Sequence, residues 1–109
     1  MRINFGSRKL SKICNSIRVM NKELGEKQAK KLRQRLEELQ AAPNMSEIVP
    51  AARCHALKGN RVGLFAVDLD QPFRLIFKPD HDPLPLLPDG GLDKTIVECI
   101  LLLEIRDYH

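Results

Sequence analysis

Apolar residues change their spacing along this chain. From Leu10 to Leu39 they recur every three or four positions, and from Arg53 onward they alternate or run together. Leu10, Ile13, Cys14 and Ile17 lie at helical spacing, and Ser7 ahead of them is a capping residue type. The pattern predicts helix from Arg8 through Cys14 and, past a break near Asn15-Ser16, on to Leu24, where Gly25 stops or turns it. Ala29, Leu32, Leu36 and Leu39 form the apolar stripe of a second helix, Glu26 to Ala41, with Lys27, Lys30, Lys31, Arg33, Arg35, Glu37 and Glu38 around it. Glu26 and Lys30 stand in the favourable i,i+4 order, and Pro43 ends the helix. Two helices so tightly joined read as a helical hairpin.

Strand patterns flank this hairpin. Arg2 to Phe5 reads as a short first strand, and Asn44 to Val49 as one helical turn halted by Pro50. Arg53 to Leu57 and Arg61 to Leu69 read as strands on either side of a Gly59-Asn60 turn signal. Phe73 to Lys78 is the next, after a turn at Asp70-Gln71-Pro72. The stretch 79–93 is rich in proline and glycine and predicts an irregular loop. The last strand, Ile96 to Arg106, is apolar at odd and even positions alike, which predicts an interior strand covered on both faces. The order predicts an α+β fold of one domain, 1–109, with an N-terminal strand and a helical hairpin packed on a mainly antiparallel sheet.

Composition and charge narrow the classes. The longest wholly apolar run, Ile100 to Leu103, falls far short of the ~20 residues of a membrane helix. Met1 to Phe5 carries no apolar signal core, so a cytoplasmic protein is expected. Residues 1–42 hold 11 Lys/Arg against 4 Asp/Glu, a balance of +7, and residues 43–109 hold 7 against 10, a balance of −3. Such a basic half reads equally as a solvated helix face or as a surface for a polyanion. Cys14, Cys54 and Cys99 form no CxxC pair, so no metal site is expected and buried free thiols are the plain reading. A thiol nucleophile at Cys54 is disfavoured, because adjacent strand residues face opposite ways.

The candidate chemistry lies in two histidines. His55 opens a strand pattern, and His109 follows Asp107 and Tyr108 after the last strand. Cleavage of RNA through its own 2′-hydroxyl needs a base, an acid and cations beside the phosphate. Histidine serves the first two tasks and arginine the third. His55 and His109, with Lys58, Arg61 and Arg74, supply that set without a cofactor. Each has a plainer reading: a lone histidine at a strand start is usually a satisfied surface residue, a turn lysine is solvated, and chain ends fray. Arg74, inside an apolar strand, needs a partner or an open cleft.

The segments His55-Ala56-Leu57-Lys58-Gly59-Asn60-Arg61, Phe65-Ala66-Val67-Asp68-Leu69, Phe73-Arg74-Leu75-Ile76-Phe77 and Asp89-Gly90-Gly91-Leu92-Asp93, closing on Asp107-Tyr108-His109, resemble the HigB branch of the RelE/ParE toxin superfamily. The resemblance covers most of the chain. It implies a toxin of a type II toxin–antitoxin module that cleaves mRNA on the ribosome, with no metal or other cofactor. It implies catalytic residues at His55, Asp107, Tyr108 and His109, and phosphate-side cations at Lys58, Arg74 and, more weakly, Arg61. Lys27, Lys30, Lys31, Arg33 and Arg35 would hold ribosomal RNA. The implied partners are a HigA-type helix-turn-helix antitoxin, the ribosome and mRNA, with no membrane. Rival readings are a ParE-like gyrase poison, which has no need of His109, and a non-catalytic RNA- or ribosome-binding module.

Overall fold

The computed structural model describes residues 1–107. It is an α+β fold with β1 (Arg2–Phe5), α1 (Arg8–Asn15), α2 (Ile17–Leu24), α3 (Glu26–Ala41), β2 (His55–Ala56), β3 (Phe65–Asp68), β4 (Phe73–Pro79) and β5 (Cys99–Asp107). The five strands form one sheet in the order β1-β5-β4-β3-β2. β1 runs parallel to β5 and every other pairing is antiparallel. No described helix is long and apolar enough to cross a membrane.

The helices begin and end where their residues dictate. The Ser7 hydroxyl accepts the Leu10 N–H at 3.1 Å and opens α1. Ser16, extended at φ −134, ends α1 and caps α2 by accepting the Val19 N–H at 3.3 Å. The expected break is therefore a full junction, and the hairpin has three helices. Gly25, at φ 79, turns the chain into α3, a left-handed position that glycine takes without steric cost. In α3, Gln28 and Arg35 are buried together with Ala29, Leu32 and Leu39, and half-buried Leu36 packs against the same core.

All three helices cover one face of the sheet. Leu10, Ile13, Met20, Leu32 and Leu39 pack with Phe65, Val67, Leu75, Phe77, Ile100 and Leu102 in a single cluster. Phe65 and Phe77, cross-strand partners, stack at 6.0 Å between centroids.

Strand lengths differ from expectation. The first of the two strands around the Gly59 turn is cut to His55–Ala56, and the second starts only at Phe65. Arg53 takes a left-handed conformation and Gly59–Arg61 coil into a 3-10 turn, and both end pairing. The last strand starts at Cys99, because Val97 lies in the preceding loop with its carbonyl accepting the Met45 N–H at 2.9 Å. β5 is an interior strand between β1 and β4, as its sequence predicts. Its unbroken apolar run has a second cause besides cover. The register against β4 slips between Ile76 and Phe77, so Leu102 pairs with Phe77 but Glu104 pairs with Ile76. This bulge reverses the alternation, and the core side passes from Ile100 and Leu102 to Ile105. The loop between β4 and β5 is irregular, apart from one bridge between Leu86 and Leu92.

Candidate functional site

Side chains alternate across the sheet, so the strands that build the core also build its second face. His55 pairs with Ala66, Ala66 with Ile76, and Ile76 with Glu104, which makes one row across four strands. Asp68, Arg74 and Arg106 form the next row. Both rows stand on the face away from the helices. Ala66 and Ile76 are fully buried there, outside the helix-side cluster.

Two carboxylates organise the arginines of this face. Asp68, only 6% exposed, lies 3.2 Å from Arg53 Nε through Oδ2 and 3.5 Å from Arg74 Nε through Oδ1. Burying a carboxylate is costly unless cations face it, and here two do. Arg61 donates to Glu104 at 2.7 Å, and Arg106 lies 3.4 Å from the same oxygen. The Arg61–Glu104 pair links the β2–β3 connection to β5, which is not a neighbour of either strand in the sheet. The Arg61 hydrogen bond holds the Glu104 carboxyl below its ordinary value, outweighing partial desolvation. Among the described residues, Arg53 and Arg74 thus gather at Asp68 and Arg61 and Arg106 at Glu104, on the same face as a half-exposed His55.

The structure sorts the residues singled out from the sequence. His55 and Arg74 share the open face, on adjacent rows about 7 Å apart along the strand direction. Lys58 is exposed at the start of the turn that carries Arg61. Asp107 pairs with Phe73, a residue packed on the core, so its position belongs to the helix-side face at the end of β5. Its neighbour Arg106 is the residue aligned with Arg74. Tyr108 and His109 lie outside the described residues.

The basic residues of α3 form a separate surface. Lys27, Lys30, Lys31 and Arg33 are on the helical layer, across the sheet from His55, and Lys27 lies 3.7 Å from Asp70. Arg35 departs from its expected role as an RNA contact. It is 5% exposed, donates from Nε to the Asp68 carbonyl at 2.6 Å and from a terminal nitrogen to the Ala51 carbonyl at 3.1 Å, and pairs with Glu38 at 2.7 Å. With its donors turned inward it is a staple of the fold, not a surface cation.

Cys14 and Cys54 are half-buried and Cys99 buried, all as free thiols. Burial pushes the Cys14 thiol up to about 11 and raises Cys54 as well, although Lys94 works against the latter. Cys54 also packs against the core, unlike its neighbour His55. Neither thiol is poised as a nucleophile. Among the described residues, no three His, Cys, Asp or Glu side chains gather as a metal-binding group.

Sequence reasoning passed over Arg53, Asp68, Glu104 and Arg106. Asp68 did carry a signal, since an acid between Val67 and Leu69 demands a cation. The pairing of Arg61 with Glu104 joins residues 43 positions apart and had none. A scan of protein-family models finds no match for this chain, and a search of curated proteins finds none either.

Proposed function

We propose that the protein is a HigB-type toxin of the RelE/ParE superfamily that cleaves mRNA on the ribosome through the RNA's own 2′-hydroxyl. The observation that supports this reading is the sheet face away from the helices, where a half-exposed His55 on β2 and Arg74 on β4 stand on adjacent rows with Asp68 of β3 paired to Arg74. One histidine takes the proton of the 2′-hydroxyl, and the freed oxygen bonds to phosphorus. The bond from phosphorus to the 5′-oxygen breaks, and that oxygen receives a proton from the second histidine, His109, or from Tyr108. The products are a 2′,3′-cyclic phosphate and a free 5′-hydroxyl. Arg74, with Lys58 and Arg53 nearby, offsets the charge that gathers on the phosphate oxygens.

In this reading Lys27, Lys30 and Lys31 hold ribosomal RNA by phosphate contacts, which salt weakens. The protein works in the cytoplasm, where translating ribosomes are. Its partner is a HigA-type antitoxin, and any DNA contact is made through that partner.

Primer extension on mRNA from translating ribosomes tests the proposal. Addition of the protein should create new 5′ ends, and His55→Ala should abolish them. A gyrase poison would leave the mRNA whole and trap cleaved DNA instead. A non-catalytic ribosome binder would stall translation with no new ends, and either result sinks the ribonuclease reading.

A further inference from the structure

His55 is held by more than its place in the sheet. Its Nδ1 lies 2.9 Å from the carbonyl oxygen of Arg53. A carbonyl oxygen only accepts, so Nδ1 carries the hydrogen and the neutral ring keeps its lone pair on Nε2. The carbonyl is aimed by the backbone of Arg53, at φ 54 and ψ 49. That region is left-handed, and a residue with a side chain stays there only where its surroundings hold it.

The side chain of Arg53 is one such hold, through its 3.2 Å pairing with Asp68. Asp68 is itself fixed from below, since its carbonyl accepts from buried Arg35 at 2.6 Å. The same guanidinium donates at 3.1 Å to the carbonyl of Ala51, in the 3-10 turn that delivers Arg53. Arg35 thus ties together, beneath the sheet face, the two segments that Arg53 and Asp68 tie above it.

We infer that His55 is the general base of the proposed cleavage, fixed as the Nδ1–H tautomer, and that Asp68 is the positioning residue that sets this tautomer through Arg53. Nε2 takes the 2′-hydroxyl proton as the 2′-oxygen bonds to phosphorus, and the departing 5′-oxygen is protonated by the acid. The base role rests on the ribonuclease reading above, whereas the tautomer does not. The other oxygen of the same carboxylate lies 3.5 Å from Arg74 Nε.

Long-range nitrogen–proton correlation spectra of the full chain, in alkaline solution where imidazoles are neutral, read the tautomer directly. The His55 signals are those lost in His55→Ala. Wild-type His55 should appear as Nδ1–H. Asp68→Asn and Arg53→Gln should each mix in the Nε2–H form and slow cleavage at saturating ribosomes by about tenfold or more, within the range general-base catalysis spans. His81, whose Nδ1 lies 2.7 Å from the Pro83 carbonyl, should keep its tautomer in both variants. An Nε2–H form in the wild type overturns the assignment, and a tautomer unmoved in both variants overturns the role of Asp68. Arg53 has a side chain 78% exposed, so its variant carries the comparison even where Asp68→Asn does not fold. Wild-type protein that shows the Nδ1–H form yet cleaves nothing overturns the base role and leaves the tautomer standing.

Discussion

The two faces of the sheet are made from alternate residues of the same strands, yet different forces hold them. On β4, Leu75 and Phe77 point into a dry cluster, while Arg74 and Lys78 stand on the other side. The helix-side face is fixed by non-directional burial, so many apolar residues of the right size would serve. The open face is fixed by ion pairs and hydrogen bonds of set direction, and a single altered donor reorients its neighbours. One face supplies stability, and the other spends part of it on buried Asp68 and left-handed Arg53. Arg35 joins the two, because it is rooted in the core helix and donates to the Asp68 carbonyl at the end of β3.

Substitutions on each face should therefore fail in different ways. His55→Ala should reduce mRNA cleavage by about 10²–10⁴-fold. Its melting temperature should stay close to wild type, since the ring is half-exposed and bonds to a backbone carbonyl only two residues before it. An equal loss of stability would erase the distinction between the faces. Phe77→Ala, on the opposite face, should cost about 3–5 kcal/mol in denaturant unfolding, with cleavage per folded molecule unchanged.

Arg35→Ala should cross the boundary. Loss of a buried, hydrogen-bonded cation should destabilise by about 3 kcal/mol and also lower cleavage per folded molecule, because Asp68 and the 50–52 turn lose their common anchor. Intact cleavage in the surviving folded protein would mean that the faces are independent. Lys30→Ala, on the exposed surface of α3, should leave stability within about 0.5 kcal/mol. It should lower the salt dependence of ribosome binding by about one unit of slope.

The smallest effect belongs to Glu104. Arg61 holds its folded carboxyl below the ordinary value of 4.5, so the stability it contributes is present above that value and is lost as pH falls through the folded one. With Glu104 42% exposed, screening limits this to less than about 1 kcal/mol. Glu104→Gln should lower neutral-pH stability slightly and flatten its fall in acid, as thermal melts across that range would record. A steeper acid limb in the variant would contradict the assignment.

The helices were legible because their signals are local. Ser7, Ser16 and Gly25 act on backbone groups within one turn, and they set the helix ends observed. In α3 the spacing carried more truth than the residue types. Positions 28, 32, 35 and 39 fall on one helical face, but a charged Arg35 reads as solvent-exposed unless its partners are known. Those partners, Asp68 and Ala51, lie in segments far along the chain or beyond a turn. The shortened strands have a similar cause, since neither the left-handed Arg53 nor the bulge in β5 is favoured by its own residues.

By itself, then, the sequence determined the order of helices and strands, the α+β class, the apolar residues of the core, and His55 and Arg74 as candidates for chemistry. Those follow from periodicity, capping and residue type, which act over a few positions. Tertiary structure alone decided that His55 and Arg74 share the open face, that Asp68 and Glu104 organise its arginines, and that Arg35 turns inward. These depend on register and on contacts between distant segments, and a one-residue slip in pairing would move every side chain of a strand to the other face.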